Sequence, residues 1–189
     1  MGNDKKDKNQ YDAEDYIKVL KQSKVDSDFE YSSQRDTFLL GDINNDGIND
    51  TGYLDYSQKI SLDSGAILKN YSKCSDMTVT FSSGIKDLEI EVTDGLFIEK
   101  APDLNGDGSN DIIIYSYWVT GYWYQMHAYS FNNNKWNRLA QVKVFIDDDK
   151  STENRIVKKN NKYYLAGDKW NKDFSEILFR SDLVKIIPE

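Results

Sequence analysis

The chain has 189 residues, of which 39% are hydrophobic, 13% aromatic and 30% charged. That length holds one domain or two small ones, and the aromatic share excludes a disordered chain. With 24 Lys and Arg against 32 Asp and Glu, the net charge of −8 makes nucleic acid and anionic membrane surfaces, which call for a basic face, poor partners and favours cations.

Residues 1–10 form a polar leader that reads as a solvated tether, compatible with a lipid anchor ahead of residue 2. Residues 11–189 read as a single mainly-β domain, since no Pro-rich or Gly/Ser linker divides them. Tyr11, Tyr16, Ile17, Val19 and Leu20 fall at near-helical spacing and predict one short amphipathic helix over 12–23. After that the apolar period changes to two. Strands are expected over 37–41, 51–57, 77–81, 88–92, 95–100, 111–119, 122–131, 136–146, 155–159 and 162–166, punctuated by Asn, Asp, Gly and Ser turns. Residues 122–146 are the clearest hairpin, turning at Asn132-Asn133-Asn134. In the tail 174–187, Phe174, Ile177 and Leu178 favour a helix while Leu183 to Ile187 favour a strand. The longest apolar run, Ile112 to Val119, is broken by Ser116 and far too short to cross a bilayer, and no secretory apolar core is present in the sequence.

One nine-residue pattern occurs twice. Asp42-Ile43-Asn44-Asn45-Asp46-Gly47-Ile48-Asn49-Asp50 and Asp103-Leu104-Asn105-Gly106-Asp107-Gly108-Ser109-Asn110-Asp111 share Asp, Asn, Asp, Gly, Asn and Asp at positions 1, 3, 5, 6, 8 and 9. Calcium is a hard cation that takes about 6–8 oxygens. A curled loop turns alternate side chains inward, so positions 1, 3 and 5 supply Asp42, Asn44 and Asp46, or Asp103, Asn105 and Asp107. Glycine at position 6 permits the sharp turn, the carbonyl of Ile48 or Ser109 follows, and Asp50 or Asp111 closes the shell. Two calcium ions are expected. An EF-hand would need Glu at position 12, where Tyr53 and Ile114 stand.

These loops and their flanks, from Leu40-Gly41-Asp42 to Asp50 and from Ala101-Pro102-Asp103 to Asp111-Ile112-Ile113, resemble the calcium loops of FG-GAP/VCBS repeats. The resemblance implies antiparallel propeller-blade-like sheets of the integrin α-subunit type, with repeats near 37–57 and 98–119 and the metal held through positions 1, 3, 5, 7 and 9. The Phe-Gly and Gly-Ala-Pro signatures are missing. The loops begin 61 residues apart, so the chain holds roughly three such units where a closed propeller takes four or more. An incomplete or divergent propeller is expected.

Tyr115, Tyr117, Trp118, Tyr122, Trp123, Tyr124 and Tyr129 crowd behind the second loop. Alternating aromatics on a strand ordinarily pack a core, but exposed rings stack on sugars, which makes Trp118, Tyr122, Trp123 and Tyr124 candidate ligand contacts. Cys74 is the only cysteine and His127 the only histidine, excluding an internal disulfide, Cys-based or multi-His metal sites and any Ser-His-Asp triad not built on His127. His127 reads as a strand residue with a satisfied nitrogen. The expectation is a non-enzymatic calcium-binding β protein of the cell envelope or exterior, where millimolar calcium fills even weak sites. Its metal is structural and its surface meets an unidentified protein or glycan. The alternative is a carbohydrate-binding module or small glycan-active hydrolase using the aromatic patch 115–129.

Overall fold

The computed structural model describes residues 29–61, 67–70, 76–82, 84–91, 95–117 and 122–187. The leader 1–10, the expected helix 12–23, Cys74 and Trp118 lie outside the described residues. Within them the chain is mainly β, with three antiparallel sheets, one 3-10 turn at Asp149–Thr152 and no α-helix. The first sheet has β1 (Phe29–Gly41), β2 (Asp50–Ser61), β4 (Asp76–Phe81) and β5 (Leu88–Glu91) side by side in that order, with β3 (Ile67–Asn70) paired to the far half of β2. The second runs β6 (Leu96–Ala101), β7 (Asp111–Tyr117), β8 (Trp123–Asn132) and β9 (Lys135–Phe145). The third is β10 (Ile156–Lys159), β11 (Lys162–Trp170) and β12 (Ile177–Lys185). The ambiguous tail is therefore a strand from Ile177.

The uninterrupted apolar run of β7 has a structural cause. A strand buried on both faces shows no polar alternation, and six successive residues, Asp111 to Ser116, are buried. Ile112 and Ile114 enter a core shared with Leu40, Leu54, Val79 and Ile90 of the first sheet. Ile113 and Tyr115 face the other way, into a core shared with Leu165 and Ile186. The second sheet thus separates two hydrophobic layers. Each fully buried Ile contributes about 1.5–3 kcal/mol, so β7 anchors both at once.

Asparagine sets the hairpin register. β8 and β9 pair Asn132 with Lys135, leaving Asn133 (φ 51°) and Asn134 (φ 59°) as a two-residue turn. Asn160 (φ 50°) and Asn161 (φ 57°) do the same between β10 and β11. Two left-handed central residues define the turn whose twist matches a hairpin, and Asn tolerates that backbone.

The third sheet is locked to the second by a close approach and a buried ion pair. A Cβ on Gly167 would stand 2.8 Å from both the Lys143 carbonyl and the Val142 Cβ, so only glycine lets β11 lie this near β9. Arg155 and Asp168 pair at 2.7 Å with side chains 1% and 0% exposed. Arg155 also donates to the carbonyls of Ser151, Ala166 and Phe145, and Asp168 accepts the N–H groups of Phe145 and Arg180. Such a pair persists in an interior only when its remaining hydrogen bonds are also made.

Candidate metal centre

Each repeated loop joins the first and second strands of its sheet, β1 to β2 and β6 to β7. Their backbones match. Positions 4 and 6 are left-handed in both, at Asn45 (φ 59°) and Gly47 (φ 86°), and at Gly106 (φ 87°) and Gly108 (φ 94°). Position 2 is an apolar anchor: Ile43 and Leu104 are buried in the two different cores. The N–H of that anchor donates to the position-9 carboxylate, Ile43 to Asp50 at 3.0 Å and Leu104 to Asp111 at 2.7 Å.

The acidic side chains organise the curl between these fixed points. Asp42 accepts the N–H groups of Asp46 and Gly47 at 3.0 and 2.9 Å. Asp103 accepts those of Gly106 and Gly108 at 2.6 and 3.0 Å. Asn44 and Asn105 each accept the N–H of the aspartate two residues on and donate an amide proton back to its carboxylate. Asp46 and Asp107 accept from Ile48 and Ser109 N–H. Among the described residues no group of three or more His, Cys, Asp or Glu side chains is gathered closely enough to hold a metal. All three aspartates of each loop are engaged with N–H groups of their own curl.

The loops differ at position 9. Asp50 is fully satisfied, because Ser82 donates its hydroxyl to the second carboxylate oxygen at 2.7 Å. The corresponding hydroxyl in the second loop, Ser130, gives its proton to Asp107 at 2.9 Å. Asp111 is 1% exposed, yet its Oδ1 has no hydrogen-bond partner among the described residues. Burial pushes its pKa up to about 7, and the charges of Asp107 and Asp103 add to the rise against the pull of Leu104 N–H and of the nearby Ser130 hydroxyl, whose one proton is directed to Asp107. Burial acts the same way on Asp107, but bonds from Ser109, Asn105 and Ser130 outweigh it and hold that carboxyl below its usual value. The second loop therefore carries a buried carboxylate oxygen with lone pairs and no donor, which fits a hard cation. The first loop has the same donor types, with its position-9 oxygens already bonded.

Ser82 and Ser130 carry no signal in the loop sequences. Each reaches its loop from the third strand of its sheet, Ser130 within β8 and Ser82 just past β4, at different distances along the chain. The loops also meet. Asn110 N–H donates to the Asp42 carbonyl at 2.8 Å, and a Cβ on Gly41 (φ 77°) would lie 2.4 Å from the Asn110 side-chain oxygen.

Of the aromatic candidates, Tyr124 packs against the second core and contacts Phe97 and Tyr117 edge-on, at 6.1 and 5.0 Å. Trp123 is half-buried between Phe145 and Trp170, and Tyr122 is 58% exposed. His127 is buried with Nε2 3.3 Å from the Ser116 hydroxyl, while Nδ1 has no partner among the described residues. In comparisons with known proteins, no family model, no curated protein and no solved structure matches the chain.

Proposed function

We propose that this chain is a non-enzymatic, calcium-binding β protein of the cell envelope or exterior, built of propeller-blade-like sheets of the FG-GAP/VCBS kind. The metal is structural and the surface engages a partner. The observation that carries the reading is the unpartnered, buried Asp111 Oδ1, in a loop whose twin recurs at the same place in the neighbouring sheet. A five-strand antiparallel sheet followed by a four-strand one, each with the repeated loop between its first and second strands, supports the blade comparison. An acidic chain supports a cation partner.

Asp103, Asn105, Asp107, the Ser109 carbonyl and Asp111 would hold calcium in the second loop; Asp42, Asn44, Asp46, the Ile48 carbonyl and Asp50 are the equivalents in the first. A bound divalent cation would supply the positive charge toward which the three carboxylates of a loop could turn. The chain's own residues supply the rest. Leu104 and Ile43 fix the loop to the core, and the two left-handed positions set the curl.

Thermal unfolding of metal-stripped protein in EDTA, Mg²⁺ or Ca²⁺, with calorimetric titration to count sites, tests this reading. A calcium-selective rise in melting temperature is expected, with the second loop filling first. No shift at millimolar calcium would reduce both loops to Asp and Asn turns.

A further inference from the structure

The two loops touch through their backbones, and the contact lies between groups expected to hold metal. Asn110 N–H donates to the Asp42 carbonyl at 2.8 Å. Each partner is one end of a planar amide whose other end faces a ligand position. Asn110 N–H shares its amide with the carbonyl of Ser109, position 7 of the second loop. The Asp42 carbonyl shares its amide with Ile43 N–H, which donates to Asp50 Oδ2 at 3.0 Å, and Asp50 is position 9 of the first loop. Two rigid amides and two hydrogen bonds therefore join a ligand of one loop to a ligand of the other.

The line is shielded from water at both ends. Ser109 is 6% exposed, Ile43 0% and Asp50 3%. In such surroundings hydrogen bonds in a row polarise one another, each strengthening the next. With a cation on the Ser109 carbonyl, that amide loses electron density and its N–H becomes a stronger donor to Asp42. Ile43 N–H is strengthened in turn and holds the Asp50 carboxylate more firmly. The same contact places the backbone. Gly41 leads into the first loop at φ 77°, and a Cβ there would collide with the Asn110 side-chain oxygen and with Lys100. Closing the second loop thus fixes where the first begins.

The loops are unequal, which gives the relay a direction. Only the second holds a buried carboxylate oxygen without a donor among the described residues, Asp111 Oδ1, whereas both Asp50 oxygens are bonded. Resting on the calcium reading above, we propose that the two loops are coupled and fill in order, calcium in the second raising the affinity of the first. The order that a first-loop ion would have to impose on Asp42 and Asp50 is then already in place. Repulsion between the two dications opposes this. It acts between loops whose tips are exposed, three carboxylates in each loop offset it, and salt screens it over about 8 Å at physiological ionic strength. The buried relay escapes that screening, so the coupling should grow with salt.

The test uses the full chain and calorimetric titration with calcium at physiological salt. Asp46→Asn disables the first loop and Asp111→Asn the second, so each variant gives the affinity of one site alone. The product of the two wild-type association constants should exceed the product of these single-site values by about fivefold or more. Asn110→Pro deletes the donor and should bring the ratio to one; Asn110→Ala keeps the donor and should retain the excess. A second readout does not depend on the proline variant folding. In Asp46→Asn protein, where only the second loop fills, calcium should move the Ile43 amide proton downfield by NMR. A wild type that binds no calcium overturns the calcium reading and the coupling together. Two bound ions with a ratio of one or below overturn the coupling alone, as does an unmoved Ile43 proton. Coupling that survives in a folded Asn110→Pro protein, or is lost equally in Asn110→Ala, overturns the amide relay.

Discussion

Asp111→Asn asks whether the second loop is built around a cation. Asp111 is buried, accepts one N–H from Leu104 and leaves Oδ1 without a partner, with a pKa raised from 3.8 to about 7. For chelated protein at pH 8, that displacement corresponds to about 4 kcal/mol acting against the fold. A buried polar group without its bond costs about 1–3 kcal/mol, which sets the lower end. Asparagine keeps the shape, still accepts from Leu104, and replaces the orphan oxygen with an amide able to donate to the neighbouring carboxylate of Asp107. In EDTA at pH 8 the variant should therefore be more stable by about 1–4 kcal/mol. The folded pKa lies above the unfolded one, so the wild-type penalty is absent below about pH 4, grows as pH rises and is complete above about pH 7. The variant's advantage should vanish at acid pH accordingly. Calcium should reverse the order, stabilising the wild type through both loops and the variant through the first loop alone. Urea unfolding followed by tryptophan fluorescence reads all of these conditions. Equal destabilisation of the variant in EDTA and in calcium would refute the reasoning and make Asp111 a turn former. Asp50→Asn is the contrast: both Asp50 oxygens are bonded, so it should lose about 1 kcal/mol in EDTA.

His127 supplies a pH signature of its own. Burial lowers its pKa from 6.5 to about 4, with the Arg138 charge adding to the effect. The folded value lies below the unfolded one, so the neutral ring's contribution is complete above about pH 6.5 and is lost as pH falls toward 4, up to about 3 kcal/mol. His127→Gln should show a correspondingly smaller loss between pH 7 and 4.5 by urea unfolding; parallel curves would contradict this. Arg155→Met strands the buried Asp168 carboxylate and should cost about 3–5 kcal/mol by the same assay. A loss under 1 kcal/mol would mean that Asp168 finds water. Gly167→Ala drives a methyl to within 2.8 Å of β9 and should cost about 1–3 kcal/mol, measured as a lower melting temperature; a neutral result would show that the two sheets can part at that point.

Much of the architecture could be read from residue order, because strand period and turn chemistry are local. The Asn-rich turns, the expected strands between 95 and 166 and the unbroken apolar run at Ile112 to Tyr115 all map onto observed elements. The tail stayed ambiguous because Phe174 belongs to a turn closed by Asn171, and β12 shows little alternation, with most of its residues exposed. The loop pattern was visible as side-chain types, and its apolar position 2 was visible too, but its burial depends on which core lies beneath. Ser82 and Ser130 could not be found, since their meeting with the loops is set by strand pairing rather than by spacing. Nor could the difference between the loops, which depends on where a single hydroxyl proton points. The relay between the loops passes through backbone amides, and no side-chain pattern marks it.

The contact between Asn110 and the Asp42 carbonyl bears on how far the two repeats can be treated as separable modules. A fragment that ended with the first sheet would contain every residue of the first loop and still lack the amide that caps its opening carbonyl. It would also lose the second sheet's half of the core into which Ile43 and Leu40 are packed. Excising, swapping or grafting one repeat therefore severs a shared seam, and Gly41, enclosed by Asn110 and Lys100, marks where that seam is tightest. Ile113 and Tyr115 extend the same dependence to Leu165 and Ile186 of the third sheet, so the unit of engineering here is the three sheets together, with its cut points outside residues 29–187.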